Sequence, residues 1–314
     1  MFTATAMSRQ WERLASSGAG EWCGTWTRYA PSGPDTPGLK PAPPIRAVCS
    51  IAHDGACLRQ TNTYYEGGGD DAPRVVEHPR RDATTFAAMP ETTNSIVLLP
   101  ADGSVSWCTL AVGGGAGASI GADTAAVELI VRRGTRRARV VVVYKESGAE
   151  GSWRLRGVTS IREACESSAD VPSAPRTASV GGSDHFTAAE ASLSAGWMCK
   201  TDVIQLRGAD GAPLADPPET STRTELDSTL SERLAKAHAR PDVPEADVLL
   251  IAPDDILGPK TSETAETAAE IGLVWCAAPG ECLALTVSFD GRGRLCACRH
   301  DCYTRTTAAP PPAV

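Results

Sequence analysis

No stretch of this chain approaches the roughly 18 consecutive apolar residues that a membrane-spanning helix needs, and no such helix is expected. The opening, MFTATAMSRQWERL, lacks a cationic stretch followed by an apolar core, so no secretory signal is visible. Nor does it leave room before Trp11 for an evident plastid or mitochondrial transit peptide. Excess positive charge is missing too. A formal net charge of −8 argues against a phosphate-backbone partner, and no nucleic acid is expected. The one basic cluster, Arg132, Arg133, Arg136, Arg137 and Arg139, surrounds Gly134 and reads as a solvated hairpin turn. Histidine is sparse. His53, His78, His185 and His238 are scattered, none beside a carboxylate that spacing supports, so no general-base constellation emerges. Without a secretory signal, the eleven cysteines sit in a reducing compartment, and their odd number speaks against a full disulfide framework. They are expected as small buried hydrophobes.

Helix-period segments are scarce, whereas short apolar runs punctuated by glycine and proline dominate, the pattern of a many-stranded antiparallel protein. A length of 314 residues with 42% hydrophobic content suits two domains with a core each. The chain also repeats itself. TAAVELIV at 124–131 returns as TAAEIGLV at 267–274, each followed by a turn and a second strand, VVVVYKESG at 140–148 and LTVSFDGRG at 285–293. Upstream, SIVLLPADG from Ser95 is echoed by VLLIAPDD from Val248, and AGEWCGTWTRYAPSG from Ala19 by AGWMCKTDVIQLRGADG from Ala195. Four blocks in one order predict two equivalent units of residues 8–166 and 185–306. A Ser/Pro/Gly-rich linker at 167–184 joins them, and a proline-rich disordered tail follows at 307–314. Each unit ends in a β-meander, which removes its edges by closing into a barrel. Leu226, Leu230 and Leu234 are spaced for a short helix before Pro241, although their place in the repeat favours a strand.

The segment QWERL then GEWCGTWTRYAPSG resembles the entry strand of a family of tandem calycin proteins from oxygenic phototrophs described as a domain of unknown function. Residues 121–163, ending in Thr159, Ser160, Ile161, Arg162 and Glu163, resemble the close of that family's first barrel, and residues 251–299 the close of its second. More distantly, the units are similar to calycin-type bilin lyases. The resemblance implies an all-β fold of two tandem antiparallel lipocalin-like (calycin) β-barrels. It also implies that Trp22, in Gly20-Glu21-Trp22, and its counterpart Trp197 each close one barrel beneath an arginine from the last strand. Arg162 and Arg299 are expected in those places, where cation–π attraction is worth roughly 0.5–2 kcal/mol. The same arginines facing the lumens would instead pair with a ligand carboxylate in bidentate fashion. Trp26 and Tyr29 would then be wall residues. Their odd separation points them to opposite faces of a regular strand, so at most one lines the lumen.

Two further motifs carry less. Cys296, Cys298, His300 and Cys302 share one side of an extended strand and offer zinc-type ligands. Positions six apart lie about 20 Å from each other, at roughly 3.3 Å per residue, so one strand cannot wrap an ion, and no metal is expected. Residues 117–121 spell G-x-S-x-G around Ser119, but a glycine-rich loop leading into a strand is not a nucleophile elbow. The expectation is a soluble, non-enzymatic binding protein of the plastid or cytoplasm. One or both barrels would hold a small apolar or amphipathic ligand: a tetrapyrrole, a carotenoid or a fatty acid. No particular cofactor is implied, and a protein partner stays open. The rivals are a bilin lyase-like chromophore chaperone and an interaction module with filled barrels.

Overall fold

The computed structural model describes residues 4–305 apart from 34–35, 55, 66–71, 79, 83–92, 99–103, 113–122, 147–151, 166–196, 209–211, 213, 216, 227–247, 254, 258–266, 279 and 291–293. A helix, α1 (Ala4–Gly18), opens the chain. The strands of the first half are β1 (Gly20–Gly33), β2 (Thr36–Pro41), β3 (Ile45–His53), β4 (Cys57–Tyr65), β5 (Arg74–Glu77), β6 (Arg81–Asp82), β7 (Thr93–Leu98), β8 (Val105–Val112), β9 (Thr124–Arg133), β10 (Arg136–Glu146) and β11 (Ser152–Cys165). The second half supplies β12 (Trp197–Gln205), β13 (Glu219–Leu226), β14 (Val248–Ile251), β15 (Asp255–Leu257), β16 (Thr267–Ala278), β17 (Glu281–Asp290) and β18 (Leu295–Arg305). The linker at 167–184, the tail at 307–314, Ser119 and its loop, His185, His238, and Leu230 with Leu234 all lie outside the described residues.

The strands form two antiparallel sheets. In the larger the order is β5-β4-β3-β1-β11-β10-β9-β8-β7, with β2 on β1, β6 on β4 and β15 on β11; in the smaller it is β13-β12-β18-β17-β16-β14. The antiparallel β expectation holds at that level. The two closed barrels do not form among the described strands, because neither strand path returns to its start. A meander can bury its apolar surface by closing or by facing a second sheet, and here the sheets face each other. Leu129, Val131, Val140, Val142 and Val158 of the first sheet share one core with Ile271, Leu273, Trp275, Leu285 and Val287 of the second. The halves are also stitched by backbone, since β15 pairs with β11 of the first half. Strands buried on both faces lose polar alternation. That accounts for the run VVVV in β10 and the almost unbroken burial of β17.

The internal repeat survives as geometry. The neighbour series β1-β11-β10-β9 and β12-β18-β17-β16 match, and each tight turn uses a left-handed glycine, Gly134 at φ 57° and Gly280 at φ 74°. One equivalence shifts: β14 pairs directly with β16, the place that β8, not β7, occupies beside β9. Residues 10–14, grouped with the entry strand by resemblance, are helical instead. Trp11, Leu14, Ala15 and Gly18 follow i, i+3, i+4, i+7 spacing, and Trp11 and Leu14 pack on the first sheet's other face. That face, turned away from the second sheet, is called the α1 face below.

Candidate functional site

Cross-strand register decides what reaches the α1 face. Trp22 of β1 lies opposite Cys165 and Cys49, Gly24 opposite Glu163 and Ala47, and Trp26 opposite Ile161 and Ile45. On β10, Arg137 lies opposite Glu163 and Arg132, and Arg139 opposite Ile161 and Ile130. Directly opposed residues share a face, so Trp22, Gly24, Trp26, Glu163, Arg137, Arg139 and Arg132 line one surface. Gly24 is required there. A Cβ at this position would clash with the Arg162 carbonyl oxygen and come within 2.8 Å of Glu163 Cγ.

The solvated-turn reading of the basic cluster is therefore corrected. Arg137 is 1% exposed, and its Nε donates to Glu163 Oε2 at 2.5 Å with both side chains fully buried. Its guanidinium lies 4.2 Å from the centroid of Trp22 and 5.9 Å from that of Trp107. Arg139 pairs with Glu128 and stands 5.0 Å over Trp26. Burial works against the Arg139 charge, yet Glu128 and Glu163 outweigh it and raise its pKa above the ordinary arginine value. Arg132 donates to the Ser17 carbonyl at the end of α1, where a cation suits the helix dipole, and also lies 5.0 Å from the Trp22 ring. The other two arginines alternate to the opposite side. Arg133 pairs with Glu281 at 2.7 Å, and Arg136 donates to the Ala277 carbonyl beside Trp275.

Several buried polar atoms on the α1 face have no oxygen or nitrogen hydrogen-bond partner among the described residues: Arg137 Nη1 and Nη2, Glu163 Oε1, Trp26 Nε1 and His53 Nε2. Beside the guanidiniums sits the buried Cys49 thiol, whose pKa burial raises and Arg139 and Arg137 partly draw back. Helix α1 covers this region: Trp11 contacts His53 at 5.9 Å between ring centroids, and Trp22 Nε1 donates to the Gly18 carbonyl. Gln10 Oε1 accepts from the Val97 backbone amide, and Arg13 makes a two-pronged ion pair with Glu219 at 2.7 and 2.9 Å.

The residues expected from sequence fall differently. Trp22 is fully buried beneath an arginine, but that arginine is Arg137. Arg162 lies opposite Thr25, on the other face of β11, and donates to Ser160 Oγ and the Ile161 carbonyl. The matched placement of Arg162 and Arg299 also fails, for a reason of parity. Trp22 pairs with Cys165, three positions after Arg162, whereas Trp197 pairs with Arg305, six after Arg299. An odd and an even separation put the two arginines on opposite kinds of face. Arg299 shares its face with Trp197 but reaches Asp301 at 2.8 Å, and Asp301 also accepts from Thr201 at 2.5 Å. Trp197 packs among Cys199, Val274, Cys282, Ala284 and Tyr303. Trp26 lies on the α1 face near Tyr64, while Tyr29 packs in the intersheet core.

A second polar cluster, also missed in the sequence, sits between the sheets. His300, fully buried, has Nδ1 2.6 Å from Ser106 Oγ and Nε2 3.1 Å from Ser104 Oγ. Beside it the Cys108 and Cys298 sulfurs approach to 3.8 Å. Cys298 and Cys302 are packed core residues, and no metal-ligand cluster exists among the described residues. No local signal could reveal this cluster, because the serines come from the other half of the chain. Arg137 and Arg139 did leave a signal: two cations at alternate positions in an apolar strand, in a chain whose first strand reads Trp-x-Gly-x-Trp.

No helix of the described residues is long and apolar enough to cross a membrane. The model of the N-terminal domain of unknown function DUF3598 matches residues 7–168, just over half of the chain. The chain is similar to a crystal structure of a protein with unknown function from the DUF3598 family of Nostoc punctiforme, at 16% identity and a TM-score of 0.48. That alignment covers 95% of this chain and 99% of the other. No curated protein matches.

Proposed function

The chain belongs to the DUF3598 family, a family without an assigned function, and we propose that it is a non-enzymatic binding protein for a small amphipathic molecule held on the α1 face. The reading keeps the idea of a ligand on one face of an antiparallel sheet, here the face under α1 that is turned away from the second sheet, and moves the contacts from Arg162 and Arg299 to Arg137, Glu163 and Trp26. One observation carries it. A guanidinium that is 1% exposed and lies over indole leaves both Nη atoms without an oxygen or nitrogen acceptor among the described residues, with only the Cys49 thiol beside it. Buried polar groups left unpaired cost about 1–3 kcal/mol each, more when charged, so such a band is costly unless something else supplies acceptors. The surrounding Trp22, Trp26 and Trp107 offer flat apolar surface, the usual company of a few converging polar groups in a ligand site.

Native mass spectrometry of the whole chain, incubated with a mixture of fatty acids and tetrapyrroles, tests this. The expected result is one added equivalent, lost on denaturation. A bare mass with no uptake would overturn the reading and favour an interaction module whose interior is filled by its own side chains.

A further inference from the structure

We infer that the ligand's polar end is a single carboxylate, received by the Nη edge of Arg137; the inference rests on the binding role above. Charge on the α1 face sets the first limit. Among the side chains of that face that are not exposed, Arg132, Arg137 and Arg139 face Glu128 and Glu163, leaving one positive charge in excess, while Arg28 and Arg74 on the same face are exposed to solvent. A monoanion balances that surplus. A doubly charged phosphate would overshoot it, and a cation would add to it. Buried charges persist only when paired.

Hydrogen-bond demand sets the second limit. Arg137 spends its Nε on Glu163 Oε2, and its remaining edge, Nη1 and Nη2, has no oxygen or nitrogen acceptor among the described residues. Two parallel N–H donors on a planar fork match the two oxygens of one carboxylate. The fork is also held still before any ligand arrives. The Trp22 ring lies 4.2 Å from its centre, and the Glu163 carboxylate fixes its Nε side. Trp26 Nε1 is one more donor on the same face without a hydrogen-bond acceptor among the described residues. Among the described residues around Arg137, unbonded donors thus outnumber unbonded carboxylate oxygens, of which Glu163 Oε1, 4.0 Å from Arg139 Nη1, is the one left. An acceptor-rich anionic group suits that inventory, and an alcohol or an amine does not.

The test uses four probes with the same apolar chain and different ends: dodecanoate, dodecanol, dodecyl phosphate and dodecylamine. Binding to the full chain is read by tryptophan fluorescence and native mass spectrometry. Dodecanoate is expected to bind at least tenfold more tightly than the other three. Arg137→Lys keeps the charge and loses the fork, and should weaken dodecanoate about tenfold to a hundredfold, removing most of its advantage over dodecanol. Because a buried charge left alone can unfold the protein, the paired variant Arg137→Gln/Glu163→Gln serves as the second probe. It removes both charges together and should bind dodecanoate no better than dodecanol while retaining a cooperative thermal transition. Equal binding of all four probes, or an unchanged preference in both variants, overturns the carboxylate assignment and leaves the binding role standing. Failure of every probe to bind also overturns the carboxylate assignment, and the binding role falls with it only if the mixture of fatty acids and tetrapyrroles leaves a bare mass as well.

Discussion

Arg136 and Arg137 are neighbours in the chain and end on opposite sides of one strand, the first beside Trp275 and the second against Trp22. Each residue's role follows from that parity rather than from its charge. The Arg137–Glu163 pair is fully buried on both sides, so removing one partner strands the other. Glu163→Ala should lower unfolding free energy by about 3–5 kcal/mol in denaturant titration, while replacing both residues with well-packed apolar ones should recover most of that loss. A loss below about 1 kcal/mol would show that the pair is solvated in practice. Cysteine burial gives a pH prediction. The Cys298 pKa is held well above the ordinary thiol value, first by its contact with Cys108 and then by burial, and burial also raises Cys199 and Cys296. Below the unfolded thiol pKa of about 8.5 both states are protonated and the contribution is fully present. As pH rises beyond it, the unfolded chain ionises first, and stability falls towards the raised folded values. Under reducing conditions, the drop in denaturant midpoint from pH 7.5 to pH 10 should be smaller in Cys298→Ser than in the parent. An equal drop in both would count against this account.

Helix α1 closes the candidate site with two kinds of contact of unequal weight. Trp11 is 7% exposed and packs with Trp22, Trp107 and Ile130, whereas the Arg13–Glu219 ion pair is partly exposed at 20% and 36%. Buried indole truncation costs about 3–5 kcal/mol, and a surface ion pair is worth about 0–1 kcal/mol. Hydrogen exchange over residues 4–18 should therefore accelerate strongly in Trp11→Ala and only slightly in Glu219→Ala. The reverse order would mean that the cross-sheet ion pair, not the apolar face, seats the helix. Strand β1 depends on Gly24 for its approach to β11. Gly24→Ala should destabilise by about 2–4 kcal/mol in thermal melts, since backbone rather than a flexible side chain stands in the way. A neutral result would show that β1 and β11 can part without cost.

At the scale of the molecule, the two halves complete one core instead of folding as two. Val140 and Val142 need Leu273 and Leu285, and His300 finds its hydrogen-bond partners on Ser104 and Ser106 of the other half. Residues 1–168 and 185–314 expressed separately should each expose that face and fail to give a monomer with cooperative unfolding, while co-expression should restore a complex in size-exclusion chromatography. A stable, monomeric first half would show that the intersheet core is dispensable.

Much of the strand plan was written in local pattern. The echoed blocks recover the β9-β10 and β16-β17 hairpins because turns need Gly134 and Gly280 wherever the strands pack. The odd separation of Trp26 and Tyr29 likewise placed them on opposite faces before any tertiary contact was known. Helix α1 was legible in the spacing of Trp11, Leu14, Ala15 and Gly18 and was obscured by its resemblance to an entry strand. Which face of the first sheet meets the second sheet was not legible. Strands buried on both sides carry apolar residues on both sides, so hydropathy holds no arrow. Sequence by itself determined the antiparallel strands, their repeat and their turns, because these rest on backbone conformation and nearest neighbours. Only the tertiary structure decided that the sheets face each other, that Arg137 instead of Arg162 lies against Trp22, and that His300 is clasped by serines nearly two hundred residues away. Those outcomes depend on cross-strand register and face-to-face packing, which join residues that no local spacing connects.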